Sequence, residues 1–377
     1  MKKILSILLV LCLLPVFAIA ENETEASEVD ISEALPEDAT EVAMTEEEIA
    51  EAQAEPSNWI NFLLICNEGM NNNGGNAGNT ISVVAMNPKI GKIRLMFFTW
   101  DTFIDYEGYD VPQRIDMPYR NNGPEEAMKV FDDNFNFDIN LFMSLNYLNL
   151  ASLIDAYGGV EVDISRAERN ALNGMVASKS RSLRDQVATG LLSQAIVDML
   201  AEEYYLNEFG PNTHLNGLQA VGYGWLQYDS VYNCCIRDAK VIANLFQSVF
   251  ETLSNRVAFY TSDEDKPENP SGKRLININD ITEDDYNYLR KEVAPIFEMS
   301  YHNLSEENIH DLTLALTSVA YAATRQGVDI FDSDHLDTLV LPLEARQPYD
   351  IVAGAKGHII DKEANIQAMK DFLYKEE

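Results

Sequence analysis

Four aspartates follow the third predicted strand, where their carboxylates could meet at one end of a sheet: Asp101, Asp105, Asp110 and Asp116. Carboxylate oxygens at a strand end are suitable ligands for Mg²⁺, so this series is a candidate metal site. The chain has 61 acidic residues, and a solvent-exposed acidic loop is the competing interpretation of each of these aspartates.

Other patterns of catalytic residues are absent from the sequence. It contains no G-x-S-x-G nucleophile elbow, no phosphate loop ending in Gly-Lys-Ser or Gly-Lys-Thr, and no H-E-x-x-H motif. The five histidines are scattered, and the four cysteines form no pattern with metal-ligand spacing. The sequence therefore predicts neither a zinc site nor a hydrolase with one of these motifs.

Short β-rich runs alternate with helical patterns from residue 57 onward, which predicts an α/β fold. The predicted strands are Ile60–Cys66, Thr80–Met86, Lys92–Thr99, Ile139–Leu145, Val160–Ile164 and Thr338–Leu343. The predicted helices are Glu125–Phe135, Tyr147–Tyr157, Arg166 to about Leu206, one that begins near Asn216, an apolar stripe from Val241 to Phe250, Glu283–Phe297, Ser305–Ala322 and Asp361–Tyr374.

The N-terminus has the pattern of a secretory signal. Lys2 and Lys3 precede an apolar run that ends in Ala18-Ile19-Ala20, which predicts cleavage after Ala20 and an extracytoplasmic protein, secreted or associated with the cell wall. The alternative is an uncleaved membrane anchor formed by residues 4–20, although Pro15 interrupts that run.

Residues 21–56 contain fourteen Asp or Glu and no Lys or Arg, which predicts an acidic disordered linker, with a short helix possible over Thr45–Ala54. Residues 57–377 are predicted to form one domain, with a helical insertion at about 166–212. The net charge of −34 repels phosphate backbones, so nucleic acid is excluded as a partner.

Four segments together resemble a known family. The run from Trp100 to Pro124 resembles P-R-D-T-Y-V-D followed by G-Y, K-I-N and G-G-P, and Leu153–Val162 resembles L-I-D-A-L-G-G-V-E-V. His214–Ala220 resembles H-L-N-G-x-Q-A, and the last strand and helix also match. All four occur in order in the LytR-CpsA-Psr family, also called the cell envelope-related transcriptional attenuator family.

The resemblance implies a central mixed β-sheet flanked by helices and an extracytoplasmic phosphotransferase. Such enzymes move a glycopolymer from a polyprenyl pyrophosphate carrier to peptidoglycan. Arginines would hold the pyrophosphate as bidentate donors, carboxylates would bind Mg²⁺, and an apolar groove would hold the lipid.

This sequence departs from the family pattern at most of these positions. The first metal-binding aspartate of the family corresponds to Glu68, which stays a metal-binding candidate, whereas the second corresponds to Asn79 and is lost. Asp101 is kept as a catalytic and metal-binding candidate. Arg237, the other catalytic candidate, alone remains of six expected arginines, and the other five positions hold Ala77, Trp100, Trp225, Gln227 and Cys234. Losing this positive charge weakens the family reaction by orders of magnitude, because each charge-assisted hydrogen bond contributes roughly 1.5–3 kcal/mol.

The substituted positions predict a changed ligand. Trp100, Arg114, Trp225 and Gln227 are the candidate substrate-binding residues, and the aromatic ones suit a sugar ring, lipid or peptide better than a phosphate. A basic cluster of Lys179, Arg181 and Arg184 is either a relocated clamp or a solvated helix face.

We therefore expect a secreted cell-envelope protein with a largely degenerate phosphotransferase site. Its expected role is binding or regulation during the attachment of a cell-wall glycopolymer. The expected partners are a cell-wall glycopolymer, a polyprenyl lipid or peptidoglycan, with a cell-envelope protein as a further candidate. An active transferase that uses Mg²⁺ and a structural scaffold for an active relative are the two alternatives.

Three cysteines remain after the signal, namely Cys66, Cys234 and Cys235. In the family, the segment that corresponds to Cys66 and the segment that corresponds to Cys234 and Cys235 both border the cleft. The resemblance therefore allows a disulfide bridge from Cys66 to Cys234 or Cys235. Buried, reduced thiols are the alternative.

Overall fold

The first predicted strand is apolar at nearly every position, which is typical of a strand covered on both faces. The computed structural model describes residues 45–67, 78–137, 139–188, 204–268, 272–325, 336–347 and 349–375. It places this strand, β1 (Ile60–Asn67), between β2 (Gly78–Asn87), which is antiparallel to it, and β6 (Phe142–Asn146), which is parallel.

Within the described residues, six strands form the central sheet. Their order is β11 (Tyr301–His302), β6, β1, β2, β3 (Lys92–Phe98) and β12 (Leu336–Leu341). Parallel and antiparallel pairs both occur, since β3 is antiparallel to β2 and parallel to β12. The α/β class and the mixed central sheet expected from the sequence are therefore confirmed.

Helices pack on both faces of this sheet. The even-numbered side chains of β1 lie in one core with α4 (Tyr147–Ala156), α5 (Arg166–Ala188), α6 (Gly217–Gly224), α7 (Val231–Arg256), α8 (Glu283–Glu298) and α9 (Glu306–Arg325). Leu63 and Ile65 lie in a second core with α2 (Met117–Asn122), α3 (Pro124–Phe135) and α10 (Lys362–Tyr374).

Most predicted elements match these bounds closely. The helix predicted from Arg166 to about Leu206 is described as far as Ala188; residues 189–203 lie outside the described residues, residues 205–209 are not helical, and a strand begins at Gly210, inside the predicted helical insertion. The strand predicted at Ile139–Leu145 begins only at Phe142, and the helix predicted near Asn216 begins at Gly217 with Asn216 as its cap. Gly158 and Gly159 end α4 with positive φ angles of 93° and 95°, which glycine adopts without strain.

Three further small sheets contain strands that were not predicted from the sequence, apart from the strand at Val160–Ile164, which was. Strands β4 (Thr102–Ile104), β5 (Gln113–Arg114), β13 (Asp350–Val352) and β14 (Ala355–Ile359) form a four-stranded sheet in the order β13, β14, β4, β5. The pairs β7 (Val160–Ile164) with β8 (Gly210–Leu215) and β9 (Val257–Tyr260) with β10 (Arg274–Asn277) form the other two. The strands other than β7 are short or irregular, so an alternating pattern does not identify them.

The first described helix, α1 (Glu46–Ala54), lies inside the segment predicted to be a disordered linker. Thr45 and Glu48 form the capping box that its sequence indicates. Gln53 is buried: its side chain donates to the Lys375 carbonyl at 2.8 Å and accepts from Lys92 at 2.5 Å. The linker prediction therefore extends too far, because polar contacts with the domain order residues that composition alone would leave unfolded. Residues 1–44 lie outside the described residues.

Of the helices within the described ranges, none combines the length and apolar composition that a membrane span requires.

Candidate functional site

Asp101 lies in the turn that follows β3, beside the end of β12. The Thr99 N–H donates to the Leu341 carbonyl at 2.9 Å, so the parallel pair fixes where the turn begins. Asp101 is buried, and its Oδ1 atom lies 3.5 Å from Nδ1 of His358. The His358 N–H also donates to the Asp101 carbonyl at 3.1 Å, which joins β14 to this turn.

His358 is a site residue that the sequence analysis missed. Its Nε2 atom lies 3.4 Å from the Gln347 carbonyl, and the Tyr349 ring lies 4.9 Å away, centroid to centroid. Burial acts to lower the pKa of His358, but contact with Asp101 outweighs it and the net shift is upward. No sequence signal could link these residues, because a small sheet with no clear pattern brings them together.

Trp100, Arg114 and Asp116 form a second group beside Asp101. The Arg114 guanidinium carbon lies 4.8 Å from the Trp100 ring centroid, and Arg114 donates to the Lys356 carbonyl at 2.7 Å. Burial raises the pKa of Asp116 to about 6, despite the nearby positive charges of Arg114 and Arg120. Arg114 is thus held against an aromatic face and a backbone carbonyl.

Two of the four aspartates after β3 are therefore buried and two are not. Asp105 and Asp110 are exposed, and Asp105 pairs with Lys362 at 2.6 Å. The four carboxylates do not converge, which agrees with the loop interpretation for the two exposed ones.

Arg237, the arginine retained from the family set, is buried and already paired. Its Nη2 atom lies 2.7 Å from Asp229 Oδ1, its Nη1 atom lies 3.1 Å from Asp229 Oδ2, and it also donates to the Leu226 carbonyl. Hydrogen bonding to Arg237 lowers the pKa of Asp229 to about 2. This bidentate geometry uses the planar donors that would otherwise clamp a phosphate.

Trp225 and Gln227, at arginine positions of the family, have different environments. Trp225 is half-buried at the end of α6, its Nε1 donates to Thr80 Oγ1 at 3.4 Å, and its ring centroid lies 6.5 Å from that of Tyr147. Gln227 is exposed.

Asp238 is a buried acid that the sequence analysis also missed. Burial raises its pKa to about 7, although a hydrogen bond with Thr80 acts against the rise. Its charge raises the pKa of the Cys66 and Cys235 thiols, after the larger effect of their burial. The sequence did contain a signal for the burial of Asp238, because this residue lies one helical turn before Ile242 on the apolar stripe of α7.

The three described cysteines, Cys66, Cys234 and Cys235, are buried free thiols. The bridge that the sequence allowed from Cys66 to one of the other two is not formed in the structure.

An apolar pocket lies between the central sheet and the helices of the first core. Fifteen apolar side chains line it: Phe62, Leu64, Met86, Met143, Leu145, Leu150, Leu153, Ile242, Leu245, Phe246, Val249, Ile296, Phe297, Leu312 and Leu316. Leu145 of β6 pairs with Cys66 of β1, which in turn pairs with Thr80 of β2, but neither Cys66 nor Thr80 lines the pocket.

A Mg²⁺ site as the family would have it does not fit the described residues. Asp101 faces an imidazole, and within the described ranges no three His, Cys, Asp or Glu side chains are arranged to hold a metal ion. Glu68 lies outside the described residues, as do Ala77 and the side chains of Asn79, Lys179, Arg181 and Arg184.

Comparisons with known proteins support the resemblance. A sequence model of the LytR_cpsA_psr family matches residues 19–234, more than half of the chain. Two relatives bear the name polyisoprenyl-teichoic acid–peptidoglycan teichoic acid transferase TagU. The one from Enterococcus faecalis is 30% identical over 84 residues, which cover 22% of this chain and 28% of the relative. The one from Bacillus cereus is 24% identical over 119 residues, which cover 31% and 37%. The matched segments thus span well under half of either relative.

The fold is similar to the crystal structure of TagV from B. subtilis. The TM-score is 0.53 with 13% sequence identity, over 84% of this chain and 95% of that chain. At this identity the likeness concerns the fold alone.

Proposed function

Because this chain belongs to the LytR-CpsA-Psr family, we propose that it is a lipid-binding cell-envelope protein that holds an isoprenoid chain without transferring a glycopolymer. The apolar pocket carries the proposal. Apolar side chains from three strands and four helices line it, and an apolar ligand chain suits such a lining. The relatives named TagU act, by their name, on a polyisoprenyl-linked teichoic acid, and an isoprenoid chain suits such a pocket.

The retained family residues support the absence of transfer. Asp101 is buried against His358, and Arg237 is paired with Asp229. Phosphoryl transfer depends on positioned cations around the phosphates. Asp101 and Arg237 instead contact other side chains of the protein itself. We propose that the role is binding or regulation during the attachment of a cell-wall glycopolymer.

Location outside the cytoplasm is part of the same proposal and depends on the predicted signal. If residues 1–20 are a cleaved signal, mass spectrometry of the extracellular protein will find Glu21 as the first residue. A product that stays in the membrane and begins at Met1 would contradict cleavage and favour the anchor formed by residues 4–20.

The pocket is tested by placing a charge in it. Phe246 lines the pocket and is only partly buried, so Phe246→Asp should leave the fold intact and weaken binding of geranylgeraniol at least about tenfold. Phe372 is a partly buried aromatic residue of the opposite core, and Phe372→Asp is the matched control. Equal loss in both variants, or no binding to the wild type, would contradict a lipid pocket.

Transfer is tested in parallel with a labelled glycan on a polyprenyl pyrophosphate donor and peptidoglycan as acceptor. We expect no transfer by the wild type or by Trp100→Arg, because clamping arginines act as a unit and one cation gains little. Transfer by the wild type at the rate of an active relative would establish the enzymatic alternative.

A further inference from the structure

The loop between β4 and β5, residues 105–112, presents an aromatic ring to solvent on a fixed support. The ring of Tyr109 stacks on that of Tyr106, with the centroids 5.1 Å apart and the planes 24° from parallel. Tyr106 is 7% exposed and Tyr109 is 47% exposed. The buried ring therefore covers one face of Tyr109, and the opposite face is open to a ligand.

The backbone of the loop places the two rings on each other. The Tyr109 N–H donates to the Tyr106 carbonyl at 3.2 Å, and Gly108 supplies the positive φ of 87° within this turn. The stacked arrangement thus follows from the turn itself as well as from the contact between the rings.

Two neighbouring helices hold the start of the loop. The Asp105 N–H donates to Asn134 Oδ1 on α3 at 2.9 Å, and Asn134 Nδ2 donates to the Asp105 carbonyl at 2.8 Å. The Tyr106 hydroxyl accepts from Asn122 of α2 at 2.7 Å. A ring held in this way loses little conformational entropy when a ligand covers it, which favours binding.

The charges of the loop favour an uncharged ligand. Its three carboxylates, Asp105, Glu107 and Asp110, would repel a polyanion. Two of them are already paired within the protein, Glu107 with Lys129 at 3.0 Å and Asp105 with Lys362 at 2.6 Å. This pairing weakens the attraction for a cationic partner, whereas carboxylate oxygens can still accept hydrogen bonds from hydroxyl groups.

We propose that this loop is a docking surface for an uncharged glycan chain, in which the open face of Tyr109 stacks against a pyranose ring. A pyranose has C–H groups on its face and hydroxyl groups at its rim, so it can cover the tyrosine ring while its rim pairs with polar groups of the loop. Val111 is also exposed, at 41%, and adds apolar surface to the loop. Residues 105–112 are not among those that line the apolar pocket, so this surface is separate from the lipid-binding function.

The test is an NMR titration of the full-length chain with chitohexaose, a neutral glycan. We expect saturable binding with a Kd of about 1 mM or tighter, and shifts of the amide signals of residues 105–112. The absence of saturable binding would overturn the proposal and leave the lipid pocket unaffected. Hexalysine is the second probe, and its binding to this loop in place of chitohexaose would overturn the proposal in favour of a cationic partner.

Substitutions of one exposed tyrosine assign the binding to the ring. Tyr109→Ala should weaken chitohexaose binding at least about fivefold, whereas Tyr109→Phe, which keeps the ring, should bind within about twofold of the wild type. Tyr205→Ala is the matched control, because Tyr205 is 48% exposed and lies outside this loop. Unchanged binding in Tyr109→Ala, or an equal loss in Tyr205→Ala, would contradict the assignment.

The pocket variant Phe246→Asp keeps the two proposals apart. Because Phe246 lines the lipid pocket and not this loop, the variant should bind chitohexaose as the wild type does. Loss of chitohexaose binding in Phe246→Asp would contradict a separate glycan surface.

Discussion

Arg237 shows how a residue kept from a family pattern can serve the fold instead of the reaction. Its guanidinium closes the segment between α6 and α7 by pairing with Asp229 and the Leu226 carbonyl, and its guanidinium carbon lies 5.0 Å from the Tyr228 ring centroid. A side chain with these contacts stabilises the start of α7, whether or not a ligand is present.

Removing Arg237 should therefore lower stability. Arg237→Ala removes the arginine donors of Asp229 and of the Leu226 carbonyl, and we expect a loss of roughly 1–3 kcal/mol, because Ser230 and Asn233 still donate to Asp229, which also keeps partial access to water. Urea denaturation measures the change. Lys129→Ala, which breaks an ion pair with Glu107 whose side chains are 55% and 82% exposed, is the control, with an expected loss well below that of Arg237→Ala. Equal losses of stability in the two variants would show that the buried pair contributes no more to the unfolding free energy than the exposed pair does.

Buried acids give the molecule a distinctive dependence on pH. The pKa of Asp238 is raised to about 7 and that of Asp116 to about 6, so the folded state holds these protons more tightly than the unfolded state does. Stability should then fall as the pH rises from about 4 to about 7. The raised pKa of His358 acts in the same direction, since its stabilising charge is lost as the pH rises through that value.

The contribution of Asp238 can be isolated. Asp238→Asn removes the titrating group but keeps a side chain that can pair with Thr80, so the decline in unfolding free energy between about pH 5 and about pH 7 should become shallower. Denaturation at a series of pH values measures the slope. A slope as steep as that of the wild type would show that Asp238 does not hold its proton to neutrality.

At the scale of elements, α4 and α6 lie in close contact. A Cβ atom at Gly217 would lie 1.8 Å from the Ala151 carbonyl oxygen, so only glycine fits at the start of α6. Trp225 caps the other end of this helix, so the position of the helix sets that of the indole.

Gly217→Ala should separate the two helices and destabilise the protein by roughly 1–3 kcal/mol. Gly174→Ala is the matched control, because Gly174 lies within α5 with open space around it and alanine there should add about 0.5–1 kcal/mol. Thermal unfolding compares the two. A Gly217→Ala variant as stable as the wild type would show that the contact relaxes at little cost.

Most long elements could be predicted from the sequence because their periodic patterns are strong. The stripe from Val241 to Phe250 and the run from Ile60 to Cys66 each indicate their element and its buried face. The four-stranded small sheet has strands of two to five residues, too short for such a pattern. For this reason the partner of Asp101 could not be predicted, although Asp101 itself was.

The candidate site could be predicted only in part, because a sequence motif identifies residues but not their contacts. Aligned motifs identified Asp101, Trp225 and Arg237, but their contacts depend on tertiary packing. The pairing of Arg237 with Asp229 needs the turn between two helices, and the contact of Trp225 with Thr80 crosses from α6 to β2. Spacing along a chain does not encode such distances.

At the scale of the whole molecule, the docking of α1 determines how the fold would carry mechanical load. Tension applied at Thr45 passes through Gln53 to Lys92 on β3 and to Lys375 at the end of α10, before it reaches β1. These few hydrogen bonds would break first, and α1 would separate from the rest of the domain. The central sheet and its pocket, which lie behind that attachment, would keep their shape while the protein is pulled.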